Sequence, residues 1–375
     1  MRPSVAKASS AGTPADRRWL REALRLAARA RGLTAPNPMV GALVVRAGRR
    51  IAAGHHLRDG AAHAEAVALA RAGSAARGAT LYLNLEPCAH HGRTPPCVDA
   101  VLASGVRRVV VGMRDPDPRT AGRSLTRLRR AGIEVVVGVE EEACRRLNRG
   151  FCSRLERARP FTLLKLATSL DGRVATRSGE SRWISSPQSR AAGHALRRSA
   201  DAIAVGSRTA QIDDPELTAR RGDRVVQRPR RIVVDSRLSL APSARLLDAS
   251  DPGRAWLLTA ARAPARRRRA LEAAGARILD VPLRGEHLDL RAAWKRLAKE
   301  GVNEILVEGG GGLAAALLAA GLVDELHLFL APLLIGGDGA AALGSLGVDA
   351  LAGALRPRAL AVRRSGPDLW MVAEW

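Results

Sequence analysis

Short apolar runs alternate with segments of helical spacing along most of the chain, and this alternation constrains the fold more than any other feature. In the first part of the sequence, helical segments lie at residues 17–31 and 63–73, after Pro96 and near 125–131, and strand-like runs lie at 41–45, 51–54, 80–85, 107–112 and 133–139. Asp16 is expected to cap the first helix and Gly32 to end it. Strands that alternate with helices predict an α/β sandwich.

A second alternating series begins after a charged stretch, residues 140–160, that contains no strand-like run. Its strand-like runs lie at 161–167, 202–206, 231–235, 255–258, 303–308 and 325–330, and its helical segments lie near 187–199, 265–275, 288–300 and 313–321. A chain of 375 residues is long enough for two domains that each bury a core. We therefore expect one α/β domain over residues 16–158, a second over 159–375, and a disordered tail over residues 1–15, which are small and polar.

The chain carries a formal net charge of +25, and a basic surface attracts phosphate groups. The positive charge is almost all arginine and is spread over the whole sequence, so runs such as 127–130 are interpreted as solvated faces. Aromatic residues make up only 3% of the chain, which leaves little surface for stacking on bases. No apolar run reaches the roughly 18–20 residues of a membrane span. The expectation is a cytoplasmic protein that binds neither nucleic acid nor membrane.

One histidine, one glutamate and two cysteines form a candidate metal site. His63 and Glu65 stand at the start of a predicted helix, Cys88 follows the strand-like run 80–85, and Cys97 opens the next helix. One imidazole and two thiolates leave the fourth tetrahedral position of a Zn²⁺ open, which is typical of catalytic zinc. Zinc lowers the pKa of bound water toward about 7. Glu65 is placed to take a proton from that water and to return it to a leaving amine.

The pattern H-x-E followed by P-C-x-x-C is the signature of the zinc nucleobase deaminases. This chain differs from the signature because eight residues, instead of two, separate Cys88 from Cys97. The alternatives are a buried or reactive cysteine pair, a structural zinc site in an interaction protein, and a deaminase that acts on RNA. Glu65 and the missing fourth ligand argue against a structural site. His90 and His91, inside the insertion, are expected to line a pocket or to face solvent.

The second half has no G-x-G-x-x-G after its first strand, so a standard Rossmann fingerprint is absent. Instead, Glu308 is followed by four consecutive glycines, residues 309–312, and then by an apolar helical segment. Glycines let a phosphate approach the free N–H groups at a helix start, where the helix dipole favours anions. A nucleotide site is the favoured interpretation, and a flexible turn is the alternative.

Longer motifs in both halves resemble one known family. In the first half they read P-N-P-M-V-G at 36–41, H-A-E at 63–65 and E-P-C-A-H-H-G-R-T-P-P-C at 86–97. In the second half they read K-L-A-T-S-L-D-G at 165–172, S-G-E-S-R-W-I at 178–184, D-D-P-E-L-T at 213–218 and V-E-G-G at 307–310. In this order the motifs are similar to those of the bifunctional riboflavin-biosynthesis deaminase/reductase family. The long insertion between the two cysteines is typical of that family.

The resemblance implies two folds and two activities. The N-terminal domain would be a cytidine-deaminase-like α/β/α sandwich that binds one Zn²⁺. It would remove the 2-amino group of 2,5-diamino-6-(5-phosphoribosylamino)pyrimidin-4(3H)-one. The C-terminal domain would be a dihydrofolate-reductase-like α/β domain that uses NADPH to reduce the ribosyl group, giving 5-amino-6-(5-phosphoribitylamino)uracil. The resemblance further implies a homo-oligomer.

The resemblance also implies the residues of both sites. Zinc would be bound by His63, Cys88 and Cys97, and Glu65 would be catalytic. Substrate contacts would fall at Asn37, Ser181, Arg197, Leu217, Arg220 and Glu308. NADPH contacts would fall at Ala167, Trp183, Thr209, Asp213, Ser236, Gly310, Gly311, Gly312, Leu313, Ala314, Ala315 and Ala316. The two arginines suit the 5-phosphate, because a guanidinium pairs bidentately with phosphate.

Five further residues carry narrower expectations. Lys165 is a candidate for the reductase site, where it would polarise the open-chain sugar or orient the cofactor. Asp171 is interpreted as part of a structural turn. Asp117 stands where the family usually has Asn, and we expect that change to be silent. Cys144, like Cys152, has no predicted role beyond a small buried side chain.

Overall fold

The computed structural model describes residues 12–91, 95–248 and 250–375, and its contacts divide the chain into two units, Met1–Arg157 and Ala158–Trp375. The division lies next to the boundary expected near residue 158. Strands and helices alternate in both units, so the predicted α/β class is confirmed for each of them. In the described ranges, no helix is both long and apolar enough to cross a membrane.

The first unit is built on a five-stranded mixed sheet. Its strands are β1 (Gly41–Arg46), β2 (Arg49–His55), β3 (Thr80–Leu85), β4 (Arg108–Met113) and β5 (Glu134–Val137), and its helices are α1 (Pro14–Ala27), α2 (Ala64–Ala72), α3 (Cys97–Ala103), α4 (Arg123–Arg130), α5 (Glu141–Leu147) and α6 (Arg149–Glu156). The strand order is β2-β1-β3-β4-β5. β1 is antiparallel to β2 and β3, whereas β3, β4 and β5 are parallel.

Two glycines show how helices cover both faces of this sheet. A side chain at Gly41 would lie 2.1 Å from the carbonyl oxygen of Ala23 in α1, and one at Gly54 would lie 2.5 Å from the carbonyl oxygen of Ala64 in α2. Gly54 pairs with Ala42, so Gly41 and Gly54 point to opposite faces of the sheet. The two helices therefore pack on opposite faces at a distance that only glycine permits, and the unit is an α/β/α sandwich.

The first helix differs from its prediction at its start. α1 begins at Pro14, three residues earlier than expected, and its N-cap is Thr13 instead of Asp16. The Thr13 hydroxyl accepts the N–H of Asp16 at 3.1 Å, and the Asp16 carboxylate accepts the N–H of Thr13 at 2.9 Å. This is a capping box in which Asp16 occupies the third helical position. The predicted tail, residues 1–15, therefore extends too far, and its first eleven residues lie outside the described residues.

The second unit is built on a nine-stranded sheet. Its strands are β6 (Phe161–Thr168), β8 (Ala202–Gly206), β11 (Arg230–Val234), β12 (Ala255–Thr259), β13 (Ala276–Asp280), β16 (Glu304–Glu308), β17 (Glu325–Leu330), β19 (Ala359–Ser365) and β20 (Asp368–Glu374). The strand order is β13-β12-β11-β8-β16-β6-β17-β20-β19. The seven strands from β13 to β17 in that order are parallel, β20 is antiparallel to β17, and β19 is antiparallel to β20.

Five helices and three short strand pairs complete the described part of this unit. The helices are α7 (Pro187–Ser199), α8 (Ser207–Asp213), α9 (Ala265–Ala273), α10 (Leu290–Lys299) and α11 (Gly311–Ala319), and the short strands are β7 (Arg173–Ala175), β9 (Ala219–Arg221), β10 (Arg224–Gln227), β14 (Leu283–Arg284), β15 (His287–Leu288) and β18 (Ala340–Ala341). Ile232 and Val233 are neighbours in β11 and belong to two different core clusters. Because successive strand residues face opposite ways, helices cover both faces of this sheet as well.

The sequence did not predict several of these elements. They are α5, α6, α8, β13, β19, β20 and the six short strands. β19 is exposed along nearly its whole length, so no apolar alternation marks it in the sequence. α5 and α6 lie in the charged stretch 140–160, which the sequence showed only to be free of strand-like runs.

A buried ion pair fixes the start of α1 against the sheet. Asp16 is only 1% exposed, and Arg108 of β4 binds both of its carboxylate oxygens, at 2.6 and 3.0 Å. The Tyr82 hydroxyl donates a further hydrogen bond to Asp16 at 3.0 Å. Burial alone would raise the pKa of Asp16, but Arg108 and the hydrogen bonds outweigh it and hold the pKa at about 2. The carboxylate is therefore ionised throughout the neutral range.

Asp16→Asn is expected to lower the free energy of unfolding by about 3 kcal/mol, because it leaves the Arg108 guanidinium without its buried counter-charge. Urea denaturation of the full chain measures the change. Asp99→Asn is the matched control, since Asp99 pairs with Arg127 at 2.6 Å on the exposed surface. It should change the free energy by less than about 1 kcal/mol. Equal losses in the two variants would contradict the importance given to the Asp16 pair.

Candidate active sites

Three potential metal ligands meet beside the sheet of the first unit. His63 directly precedes α2, Cys97 is the first residue of α3, and Cys88 lies in the loop after β3. Their ligand atoms all lie within 4.8 Å of one another, and within the described ranges they form the one group of this kind. His63 Nδ1 lies 3.0 Å from Cys97 Sγ and 3.8 Å from Cys88 Sγ. The structure thus brings together the three residues that the sequence predicted.

The Glu65 carboxyl lies next to these ligands, in the first turn of α2. It is 3% exposed, and its Oε2 atom has no hydrogen-bond partner among the described residues. Burial raises the pKa of Glu65 to about 7. An unpartnered buried carboxyl oxygen requires a polar group beside it. One imidazole, two thiols and this oxygen fit a zinc ion whose fourth position holds water.

Two buried asparagines hold the segment that carries Asn37. Asn84 accepts the N–H of Gly41 at 2.7 Å and donates to the Met39 carbonyl at 3.0 Å. Asn148 accepts the N–H of Met39 at 2.8 Å and donates to the same carbonyl at 3.0 Å. The backbone that follows Asn37 is therefore fixed by side chains that the sequence did not single out. No local pattern marks these asparagines, because Asn148 lies more than one hundred positions away from Met39.

A cavity of about 250 Å³ opens onto the metal ligands. Asn37 lines it, as predicted, and the Asn37 amide donates to Asp59 Oδ1 at 3.2 Å and lies 3.3 Å from His56 Nε2. Further lining residues that the sequence did not propose for the site are His56, Glu86, Asp115, Arg119, Phe151 and Arg154.

The two histidines of the cysteine insertion behave differently from each other. His90 lines the cavity, and its Nδ1 atom lies 3.1 Å from Thr120 Oγ1. His91 is exposed to solvent. Neither belongs to the ligand group, in agreement with the expectation that they line a pocket or face solvent.

Asp117, the residue that departs from the family pattern, lies on the wall of this cavity. Arg119 binds its carboxylate at 2.6 and 3.0 Å, and this hydrogen-bonded pair lowers the pKa of Asp117. Asp115, next to it, accepts the N–H of Asp117 at 2.9 Å. Burial raises the pKa of Asp115 to about 7. Arg119 thus neutralises the charge that Asp117 adds, and the silence of the change stays a prediction.

The second unit contains a much larger cavity, of about 1100 Å³. The predicted site residues that line it are Lys165, Ala167, Ser181, Trp183, Arg197, Thr209, Asp213, Leu217, Arg220 and Glu308. Ser236 does not line this cavity and instead lines another one of about 440 Å³, together with Arg237, Arg262 and Arg267. The predicted cofactor contacts are therefore separated: four line the larger cavity, Ser236 lines the smaller one, and residues 310–316 line neither of the two.

A half-buried cluster of charges lies on the wall of the larger cavity. Lys165 of β6 and Glu308 of β16 are register partners, and Arg197 of α7 binds Glu308 at 2.5 and 2.8 Å. Burial would raise the pKa of Glu308, but Arg197 and then Lys165 outweigh it and hold the pKa at about 2. Burial lowers the pKa of Lys165, although Glu308 opposes that change. Glu308 is therefore a permanent anion between two cationic groups.

Both arginines expected at the substrate phosphate already have carboxylate partners. Arg197 binds Glu308 and donates to the Thr218 carbonyl at 3.0 Å. Arg220 forms an ion pair with Glu216 and donates to the Asp223 carbonyl at 2.9 Å. The sequence analysis took both guanidinium groups to be open. Glu308 lies 111 positions from Arg197 and leaves no local signal, whereas Glu216 is only four positions from Arg220. A phosphate at this position has to join or replace these carboxylates.

The glycine turn starts α11 two residues earlier than predicted. Gly309 and Gly310 have φ values of 80° and 73°, and α11 begins at Gly311. The N–H of Ala314 is already bound to the Gly310 carbonyl at 3.1 Å. Only the N–H groups of residues 311–313 are thus left at the helix start. Ala315, like Ala314, is buried in the core, so these predicted contacts and that of Ala316 lie beyond the free donors.

These observations define a class of protein: a zinc deaminase domain of α/β/α architecture joined to an α/β domain with a large charged cavity and a glycine-rich helix start. Residues 13–113 match the cytidine and deoxycytidylate deaminase zinc-binding region, and residues 160–371 match the RibD C-terminal domain. The riboflavin biosynthesis protein RibD of Escherichia coli K12 is 43% identical over 94% of this chain and 98% of its own length. That of Synechocystis is 41% identical over 95% of each chain.

Solved structures agree with the sequence relatives. A RibD structure from Acinetobacter baumannii superposes with a TM-score of 0.86 at 34% identity, over 96% of this chain and 98% of that one. A deaminase/reductase from Thermotoga maritima superposes with a TM-score of 0.82 at 30% identity, with the same coverage. The chain belongs to the RibD family of bifunctional riboflavin-biosynthesis enzymes. Its deaminase and reductase activities and its cofactors, Zn²⁺ and NADPH, are those that the sequence predicted.

The chain is expected to bind one zinc ion, and Cys97→Ala is expected to lose most of it, because the variant lacks one of three protein ligands. Metal analysis of the chelator-treated and zinc-reloaded protein measures the stoichiometry. Cys144→Ala is the matched control, since Cys144 is also a buried free cysteine but lies outside the ligand group. Zinc contents that are equal in the two variants would place the metal elsewhere.

Proposed function

We propose that the first unit hydrolyses the 2-amino group of 2,5-diamino-6-(5-phosphoribosylamino)pyrimidin-4(3H)-one. The second unit then reduces the ribosyl group to give 5-amino-6-(5-phosphoribitylamino)uracil. The observation that carries this proposal is the buried Glu65 carboxyl, with one oxygen unpartnered, beside His63, Cys88 and Cys97. The relative from Thermotoga maritima is described as a diaminohydroxyphosphoribosylaminopyrimidine deaminase and 5-amino-6-(5-phosphoribosylamino)uracil reductase.

In the deaminase site, His63, Cys88 and Cys97 would hold the zinc ion. Bound zinc supplies a water molecule that is activated for attack. The unpartnered Oε2 atom of Glu65 would hold the proton that passes from the attacking water to the departing amine. The helix start at α2 fixes this carboxyl within reach of the ligands. The net reaction exchanges an amino group for a ring oxygen and releases ammonia.

The size of the first cavity supports a small ring as its occupant. Its volume of about 250 Å³ lies just below the roughly 300–1,000 Å³ that is usual for drug-sized ligands. The pyrimidine therefore enters the cavity while the phosphoribosyl group extends outward. Asn37 is proposed to contact the ring, because its side chain lies on the wall beside His56.

In the reductase unit, the cavity of about 1100 Å³ has room for both ligands. We assign substrate contacts to Ser181, Arg197, Leu217, Arg220 and Glu308, and cofactor contacts to Ala167, Trp183, Thr209 and Asp213, all of which line it. Further cofactor contacts are assigned to Ser236 in the smaller cavity and to the free N–H groups of Gly311, Gly312 and Leu313, which follow Gly309 on the wall of the larger one. NADPH supplies the hydride. Lys165, which is buried against Glu308, orients the opened sugar by donating a hydrogen bond.

Trp183 illustrates the support for the cofactor assignments. The indole is 69% exposed, and the Arg190 guanidinium lies 4.6 Å from the ring centroid. An exposed aromatic face on a cavity wall offers a surface for a flat ligand. The arginines beside Ser236 are equally suited to an anionic part of the cofactor.

An RNA substrate was the alternative that the basic composition raised, and membership of the RibD family does not favour it. We place the reaction in the cytoplasm, because all four cysteines are free and reduced thiols are typical of that compartment.

The test is mass analysis of the product formed with and without NADPH. Deamination raises the mass by about one unit, because an amino group is exchanged for oxygen, and hydride reduction adds two hydrogens. Glu65→Gln should slow ammonia release at least about a hundredfold while it retains zinc and reduces a supplied deaminated substrate normally. Glu308→Gln should release ammonia normally but oxidise NADPH at least about tenfold more slowly, because Arg197 loses its buried counter-charge.

Each variant serves as the control for the other, since they stop different steps. Normal ammonia release by Glu65→Gln would remove the catalytic role of that carboxyl. A wild-type chain that deaminates but never consumes NADPH would remove the reductase half of the proposal.

We also propose a homo-oligomer that forms through the edge of the nine-stranded sheet. β19 is the last strand of that sheet, and its Leu360 and Val362 side chains are 55% and 54% exposed. An open edge with apolar side chains can pair with the same edge of a second copy.

Leu360→Asp is expected to shift the mass measured by light scattering toward the monomer, because it places a charge in the paired edge. Leu351→Asp is the control, since Leu351 is 83% exposed and lies outside the strand. A wild-type monomer, or equal masses for the two variants, would refute this interface.

A further inference from the structure

Asp171 follows β6, and both of its carboxylate oxygens accept hydrogen bonds from the protein. Its Oδ2 atom accepts the N–H of Gly336 at 2.6 Å, and its two oxygens accept the N–H of Ile335 at 3.2 and 3.3 Å. The Ser169 hydroxyl donates to Oδ1 at 2.5 Å. These hydrogen bonds, with the Ser169 bond strongest, lower the pKa of Asp171 to about 2. Asp171 is not among the residues that line the large cavity.

The N–H groups that Asp171 binds belong to a loop, residues 331–344, which we call the crossing loop. The loop is tied to the segment around Asp171 at two further points. Leu170 donates its N–H to the Leu333 carbonyl at 2.8 Å, and Ala342 donates its N–H to the Gly172 carbonyl at 3.0 Å. β18 of the crossing loop also pairs with β7, directly after Gly172.

The far end of the crossing loop lies against the glycine turn. Gly344 donates its N–H to the Gly311 carbonyl at 3.0 Å. A side chain at Gly311 would lie 2.9 Å from the Ala341 carbonyl oxygen and 3.1 Å from that of Ala342. The loop backbone therefore packs on the first residue of α11 as closely as glycine allows. A displacement of the loop would displace the free N–H groups at this helix start.

We propose that Asp171 is a positioning residue for NADPH, which acts by holding the crossing loop against the glycine turn. The inference rests on the proposed function, in which the N–H groups at the start of α11 bind a cofactor phosphate. A site that is held in its binding geometry before the ligand arrives binds more tightly than one that must be ordered. Asp171 thus affects cofactor affinity without contact with the cofactor and without a part in hydride transfer.

The test compares Asp171→Asn with the parent full-length enzyme in steady-state NADPH oxidation. Both carboxylate oxygens accept hydrogen bonds, and the amide keeps only one acceptor. The KM for NADPH should rise about tenfold, while kcat and the KM for the deaminated pyrimidine stay within about twofold. Ser169→Ala, which removes the hydroxyl that orients Asp171, should raise the same KM about threefold. It also provides the test if the Asn variant fails to fold.

Asp338→Asn is the matched control, because Asp338 lies in the crossing loop but pairs with Arg177 at 3.7 Å on the exposed surface. It should leave all three constants unchanged. A KM for NADPH within twofold of the parent value in both Asp171→Asn and Ser169→Ala would overturn the proposal. So would a fall in kcat at an unchanged KM, which would indicate a role in the reaction itself.

A variant at Gly312 tests the phosphate site at the glycine turn separately from the positioning role of Asp171. A side chain at Gly312 meets no atom within 4 Å, so Gly312→Asp fits and places a carboxylate at the helix start. A carboxylate there stabilises the helix but repels a phosphate, so the KM for NADPH should rise. If it does not, the proposed phosphate site is wrong. If it rises while Asp171→Asn has no effect, only the positioning role fails.

Discussion

The contact between β2 and the first turn of α2 is the constraint on which the deaminase site depends. Gly54 lies so close to this turn that a Cβ atom would be 2.5 Å from the Ala64 carbonyl oxygen. Ala64 stands between His63 and Glu65, so the distance between strand and helix also sets the position of the ligand and of the carboxyl. The geometry of the site therefore depends on a close backbone contact that only a glycine allows.

The second unit uses the same principle with a different chemistry. Gly311 starts α11 at the end of β16 and packs against the carbonyl groups of residues 341 and 342. In the first unit, a helix start positions side chains that are the proposed metal ligands. In the second, the backbone N–H groups of the helix start are themselves the proposed ligands. Both sites are thus placed by helices that begin at strand ends, which is where α/β folds commonly bind ligands.

The sequence predicted those parts of the site that are encoded locally. His63 and Glu65 are two positions apart, and each cysteine follows a proline at the end of a predicted element, so the zinc chemistry was visible without a structure. Strands and helices with clear apolar spacing were also found, and α7 and β8 have the predicted bounds. The start of α1 was misplaced because Asp16 is as good a cap as Thr13 on residue type alone.

Contacts between distant parts of the chain could not be predicted in this way. Asn148 holds Met39 and Arg197 binds Glu308, and in both cases more than one hundred residues separate the partners. The exposed edge strand β19 was not predicted because neither of its faces is buried, so the usual alternation of apolar and polar residues is missing. The residues that hold the sites in place and the edge strand of the sheet were therefore not predicted from the sequence, whereas the candidate zinc ligands and Glu65 were.

Two glutamates show why the contacts that the sequence did not predict matter for function. Glu65 is buried and Glu308 is half-buried, and each lies at the junction of a strand or loop with a helix. Burial raises the pKa of Glu65 to about 7, whereas Arg197 and Lys165 hold that of Glu308 at about 2. A residue that must accept and release a proton needs the first environment, and one that must remain an anion beside cations needs the second. The residue type is the same, so its chemical role is decided by partners that only the fold supplies.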